Sequence, residues 1–156
     1  MTSRRFLGVF AVLAMAALPA LAKPNFTGDW KLNASKSTFG QMPPPDSMTW
    51  KIKHDDPKLS NATKQSSQMG DFDQQLTYTT DGKESTNEGF QGSTMKSVAK
   101  WDGDTLVIDT KGQFGDNEVT ISQKWTLAAD GKTLTVVQSF KSAMGEGEQK
   151  LVFDKQ

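Results

Sequence analysis

From Lys23 onward, hydrophobic positions recur at every second residue, and nowhere does helical spacing persist over three turns. Met48, Trp50 and Ile52 alternate with Thr49, Lys51 and Lys53. The same rhythm runs through Phe72, Gln74, Leu76 and Tyr78, and through Met95, Ser97, Ala99 and Trp101. It returns at Leu106 and Ile108, then at Val119, Ile121, Gln123, Trp125 and Leu127. Leu134, Val136, Gln138 and Phe140 follow, and Leu151 with Phe153 closes the chain. Each run predicts a strand with one covered face and one wet face. Asp81-Gly82, Asp102-Gly103 and Asp130-Gly131 lie between such runs, and Asp-Gly favours the two-residue turn that ties neighbouring strands antiparallel. The pattern predicts an all-β chain, an antiparallel up-and-down meander of about 8–10 strands. A sheet of that length exposes two edges unless it closes, so the expected architecture is a β-barrel. An open or two-sheet sandwich is the alternative. Residues 41–47, Gln-Met-Pro-Pro-Pro-Asp-Ser, predict a stiff extended connector between the first two strands, because three prolines remove donors and hold φ.

The first 22 residues follow another logic. Arg4 and Arg5 form a basic start, Phe6 to Leu18 an apolar run, and Ala20-Leu21-Ala22 a small-x-small cleavage signal. This reads as a secretory signal peptide over residues 1–22, and predicts a periplasmic or secreted protein. The apolar run is shorter than the roughly 20 residues that span a bilayer, so no membrane anchor is expected after cleavage. Removal of 22 of the 156 residues leaves 134, enough for a single domain over 23–156. Both arginines leave with the leader, so the remaining 16 lysines face 18 acidic residues. That balance, without arginine, excludes the usual nucleic-acid footprint. There is no cysteine, so neither a disulfide nor a lipid anchor on cysteine is available, and burial with hydrogen bonding must hold the domain.

At the start of the first strand, Phe26, Gly28 and Trp30 stand at alternate positions, followed by Lys31-Leu32 and then by Ser35 and Phe39. Gly28 permits a bend or a close backbone approach, and Trp30 brings a body large enough to close one end of a barrel. This stretch resembles the first-strand signature of the calycins, the lipocalins and fatty-acid-binding proteins. The whole chain is most similar to small secreted lipocalin-like proteins of bacteria. The resemblance implies a calycin-like barrel that holds a small hydrophobic ligand. Two departures limit it. Fatty-acid-binding proteins place a helix pair after the first strand, where this chain has its proline-rich connector. They also clamp a carboxylate with arginine, which the mature chain lacks, so a bidentate clamp is impossible here.

The covered faces mix aromatics with uncharged polar groups, since Gln74, Gln123, Gln138 and Ser97 fall in register with Leu76, Trp125, Val136 and Trp101. Apolar walls with a few orienting polar groups are what a ligand cavity needs. The candidate lining is Trp50, Phe72, Gln74, Tyr78, Trp101, Gln123, Trp125, Gln138 and Phe140. A one-residue register slip would put every one of them outside. Two functions stay open: an exported small-molecule binding protein, and a protein–protein interaction module of the cell envelope with a filled barrel and no ligand.

Catalytic chemistry finds little support. His54, the one histidine, stands in Lys-His-Asp-Asp-Pro, which predicts a solvated turn. One histidine beside two carboxylates falls short of a zinc set, and His54 would also have to serve any serine triad, for which no Gly-x-Ser-x-Gly elbow exists. The pairs Asp71/Asp73, Asp102/Asp104 and Glu146/Glu148 sit in or beside turns as solvated groups. The expectation is a non-enzyme without metal or cofactor. Three sequons, at Asn25, Asn33 and Asn61, bear only on hosts that glycosylate.

Overall fold

The computed structural model describes residues 22–156, apart from the Phe90 side chain. The expected leader, residues 1–22, lies outside the described residues except for Ala22. Ten strands follow one another: β1 (Gly28–Leu32), β2 (Ser47–Asp55), β3 (Lys58–Ser67), β4 (Gly70–Thr79), β5 (Asp81–Glu88), β6 (Thr94–Asp102), β7 (Thr105–Phe114), β8 (Asn117–Leu127), β9 (Thr133–Ser142) and β10 (Gly145–Lys155). All pairings are antiparallel, and β10 returns to pair with β1. The order around the sheet is therefore β4-β3-β2-β1-β10-β9-β8-β7-β6-β5. The two free edges, β4 and β5, meet at a seam, which leaves a nearly closed up-and-down barrel.

Two of the three Asp-Gly pairs make ladder hairpins. Asp102-Gly103 joins β6 to β7 and Asp130-Gly131 joins β8 to β9, with Gly103 at φ 60° and Gly131 at φ 70°. The third does not. Asp81-Gly82 opens β5 at the seam, where no backbone ladder links it to β4. Side chains replace that ladder. Asn87 Oδ1 accepts from the Thr77 amide at 2.8 Å, Asn87 Nδ2 donates to the Thr77 carbonyl at 2.9 Å, and Ser85 Oγ accepts from the Thr79 amide at 3.1 Å. A bulge between Asp81 and Glu84 further shifts the start of β5.

Strand reversals alternate between the two ends of the barrel. The turns β2–β3, β4–β5, β6–β7 and β8–β9 lie at one end, the others at the opposite end. Register then sorts the interior into rows. Leu151, Val136, Trp125, Leu106 and Trp101 stand side by side across β10, β9, β8, β7 and β6. Two residues along each strand, roughly 7 Å up the wall, the same strands present Gln149, Gln138, Gln123, Ile108 and Ala99. The inner face thus passes from apolar to polar along the barrel axis. The apolar half packs solid around Trp30, Trp125, Phe26, Phe153, Ile52 and Leu134. The polar half does not fill.

The Gly-x-Trp pair closes the packed end. Trp30 is buried and its Nε1 donates to the Phe26 carbonyl at 2.9 Å. Gly28 sits at φ 152°, and a Cβ there would stand 2.7 Å from Lys155 Cε. Its absence lets the Lys155 ammonium lie over the Trp30 ring, 5.4 Å from the centroid. Residues 33–46 contain one three-residue 3-10 turn, Ala34–Lys36, and no helix pair. This connector instead follows β10: Ser37 Oγ accepts from the Val152 amide, and Thr38 and Lys150 exchange both backbone bonds.

Candidate functional site

The unfilled half of the barrel holds a cavity of about 240 Å³, partly open to solvent. Its wall is drawn from Met48 and Trp50 of β2, Asn61, Thr63 and Gln65 of β3, Phe72, Gln74, Leu76 and Tyr78 of β4, and facing residues of β6 to β10. Aromatic and aliphatic groups alternate with amides and hydroxyls, and no residue of the wall carries a charge at neutral pH. Burial pushes the Tyr78 phenol above its ordinary range, so it too stays neutral. The polar wall is partly tied to itself. Gln123 Nε2 donates to Gln138 Oε1 at 2.6 Å, Trp125 Nε1 donates to Gln123 Oε1 at 3.2 Å, and the Ser97 and Thr110 hydroxyls share a bond of 2.8 Å. Trp50 marks the border with the packed half, with its rings 5.1 Å from Trp125 and 4.4 Å from Phe153.

Around the mouth the turns are built to a repeated plan. In Ser67-Gln68-Met69-Gly70 and Ser142-Ala143-Met144-Gly145 the serine hydroxyl accepts from the methionine amide and donates to the glycine carbonyl. The turns hold Met69 at 89% and Met144 at 73% exposure. Among the described residues, the other exposed large hydrophobics, Met42, Phe72 and Phe114, also belong to this end.

At the opposite end, the segment before β1 is drawn into the barrel as a plug. The Phe26 ring is buried between His54 and Trp101, at centroid distances of 5.6 and 5.8 Å, with the edge of Trp125 against it at 5.6 Å. The Phe26 amide donates to His54 Nδ1 at 3.3 Å, which leaves Nε2 as the donor to Asp56 at 3.2 Å. His54 is therefore no solvated turn residue, since its side chain is only 2% exposed. It continues the inward alternation of Trp50 and Ile52, and the strand runs through Asp55 before the turn begins at Asp56. The Thr80 hydroxyl, then the His54 and Trp101 rings, hold the Asp56 carboxyl below the usual aspartate range against the opposing effect of burial. A depressed pKa in the folded state stabilises the fold above the ordinary value near 3.8 and loses that effect as pH falls through the folded value. The denaturation midpoint should accordingly fall below about pH 4, and fall less steeply in Asp56→Asn; parallel acid limbs would show that Asp56 contributes nothing.

Of the residues expected to line a cavity, the structure brings together Trp50, Phe72, Gln74, Tyr78, Gln123 and Gln138. Three lie elsewhere. Trp101 and Trp125 belong to the packed end, against Phe26. Phe140 shares the inward register with Ile121 but covers Gly147, whose absent Cβ would stand 2.5 Å from its ring; it forms part of a shallow groove with Glu146 and Glu148. Sequence reading missed Asn61, Thr63 and Gln65, all on β3, whose inward side carries a single large apolar residue, Leu59. The alternation Leu59, Asn61, Thr63, Gln65 was present, but in polar form. Among the described residues no cluster of three or more acidic or histidine side chains is placed to hold a metal ion.

No family model matches this chain, and no curated protein matches it in sequence. Solved structures match it in shape. The zebrafish ileal bile acid-binding protein complexed with cholic acid superposes with a TM-score of 0.56 at 16% identity, over 84% of this chain and 98% of that one. The fold is calycin-like. Secretory abundant heat soluble protein 4 from Ramazzottius varieornatus gives 0.54 at 16%, over 88% and 99% of the two chains. The Manduca sexta fatty-acid-binding protein gives 0.51 at 16%, over 83% and 98%. Within this calycin-like barrel the connector 33–46 leaves the mouth to the strand turns, and among the described residues no α-helix stands over it.

Proposed function

We propose that this chain is an exported binding protein that holds a small, mostly apolar molecule inside its barrel. The observation that carries the reading is the uncharged cavity above a packed floor, open at one end and walled by aromatics and amides. Its volume lies just below the roughly 300–1,000 Å³ of most ligand pockets, which suits a small guest. The named ligands of the structural neighbours, cholic acid among them, support the class of function and not a particular molecule. Export rests on the composition of residues 1–22. The filled-barrel interaction module loses its premise to the cavity, although exposed Met69 and Met144 would serve it as contacts.

The test is to purify the protein from an envelope fraction, extract it with organic solvent and identify what leaves by mass spectrometry. Re-addition should quench the Trp50 part of the tryptophan emission, and Trp50→Phe should remove that part. An intact mass beginning at Lys23 checks export. A protein that yields no molecule and whose emission ignores every apolar probe would sink the binding reading.

A further inference from the structure

Two atoms in the cavity wall stand out. Trp50 Nε1, a donor, and Asn61 Oδ1, an acceptor, belong to residues that line the cavity; both atoms are buried, and neither has a hydrogen-bond partner among the described residues. They sit on adjacent strands and on the same face, since Trp50 pairs with Thr63 and Ile52 with Asn61, which makes them diagonal neighbours. Buried polar groups left unpaired are costly, so the wall favours a guest that satisfies both. A carboxylate accepts but cannot donate, and it would bring a charge into a wall that offers no cation. An ammonium donates but cannot accept. A hydroxyl or a primary amide does both without charge.

The entrance selects in the same sense. Each of the three turns β3–β4, β7–β8 and β9–β10 carries two carboxylates against one lysine within a few residues of its tip: Asp71 and Asp73 with Lys64, Asp116 and Glu118 with Lys111, Glu146 and Glu148 with Lys141. These three turns together carry an excess of negative charge, which opposes the entry of anions.

We infer that the cavity takes a neutral amphiphile whose hydroxyl or primary amide lies between Trp50 and Asn61, and that it discriminates against the carboxylic acid of the same tail. This rests on the binding reading above. A volume of about 240 Å³ corresponds to roughly eight waters at ~30 Å³ each, so eight-carbon probes are the right scale.

The experiment titrates the purified protein at pH 7 with 1-octanol, octanamide, 1-methoxyoctane, octanoate and octylamine, by calorimetry and by Trp fluorescence. Octanol and octanamide should bind at least about tenfold tighter than octanoate and octylamine, and about fivefold tighter than the ether, which cannot donate. Asn61→Leu should weaken octanol about fivefold and leave 1-methoxyoctane closer to its original affinity, whereas Trp50→Phe, which removes the donor that both guests use, should weaken the two alike. Folding of both variants is checked by near-UV circular dichroism, and the wild-type series stands without them. Octanoate binding as tightly as octanol overturns this inference and leaves the binding reading in place. Failure of all five probes overturns both.

Discussion

Replacing Phe26 by alanine is expected to cost about 3–5 kcal/mol, a large share of the ~5–15 kcal/mol that holds a typical domain. The residue lies before the first strand, in a stretch with no ladder partner, where chain ends ordinarily fray. What ties it down is side-chain chemistry. Thr27 Oγ exchanges bonds with the His54 amide and carbonyl, Asn25 Nδ2 donates to the same carbonyl, and the Phe26 ring fills the space between His54, Trp101 and Trp125. Removing the ring leaves a void among three aromatic neighbours held by separate strands, so collapse around it is poor and the cavity term stays large. Phe72→Ala makes the control. That ring, 40% exposed at the mouth, should cost less than about 1 kcal/mol. Urea unfolding followed by Trp fluorescence reads both. Equal losses in the two variants would mean that the packed end does not carry the stability assigned to it.

The same contrast between the two ends explains what could be read in the sequence. Eight strands announced themselves by apolar alternation, because their inward faces lie wholly or partly against the packed half. β3 and β5 did not. Lys58–Ser67 turns Asn61, Thr63 and Gln65 toward the cavity, and Asp81–Glu88 contains no large apolar residue at all. A strand whose inner face is polar is invisible to a search for apolar period two, and here the polar inner face marks the site. Which aromatics belong to the floor was legible in another way. Trp101 and Trp125 stand one and five residues from the turns Asp102-Gly103 and Asp130-Gly131, both at the packed end. Trp50 lies in mid-strand, and Phe140 two residues from the mouth turn at Ser142. Distance from a turn fixes height in the barrel, and for Trp101 and Trp125 that height places them in the floor. His54 was misplaced for a related reason: Asp55-Asp56-Pro57 signals a turn, but the inward register of Trp50 and Ile52 runs one step further before the turn begins.

At the seam between β4 and β5 the barrel is closed by a side chain imitating a backbone, and the second large effect is expected there. Asn87 presents an acceptor and a donor on one planar amide, the same pair that a peptide unit offers, and it uses them on the amide and carbonyl of Thr77. Alanine at position 87 leaves both Thr77 groups unpaired in a partly buried place, an expected loss of about 2–3 kcal/mol. Aspartate keeps the acceptor but sets a carboxylate oxygen against the Thr77 carbonyl, so Asn87→Asp should rescue little. Global unfolding is not the sharpest readout, because Ser85 on Thr79 and Gln74 on the Glu88 carbonyl also span the gap. Hydrogen exchange is sharper. In Asn87→Ala the Thr77 amide should lose most of its protection and that of Thr79 some of it, while amides in the continuous ladders of β7, β8 and β9 change little. Since Gln74, Leu76 and Tyr78 of β4 form part of the cavity wall, a seam loosened in this way also widens the cavity, and octanol should then associate and leave faster. Unchanged exchange at Thr77 would mean that the seam does not depend on Asn87, and that closure comes from packing alone.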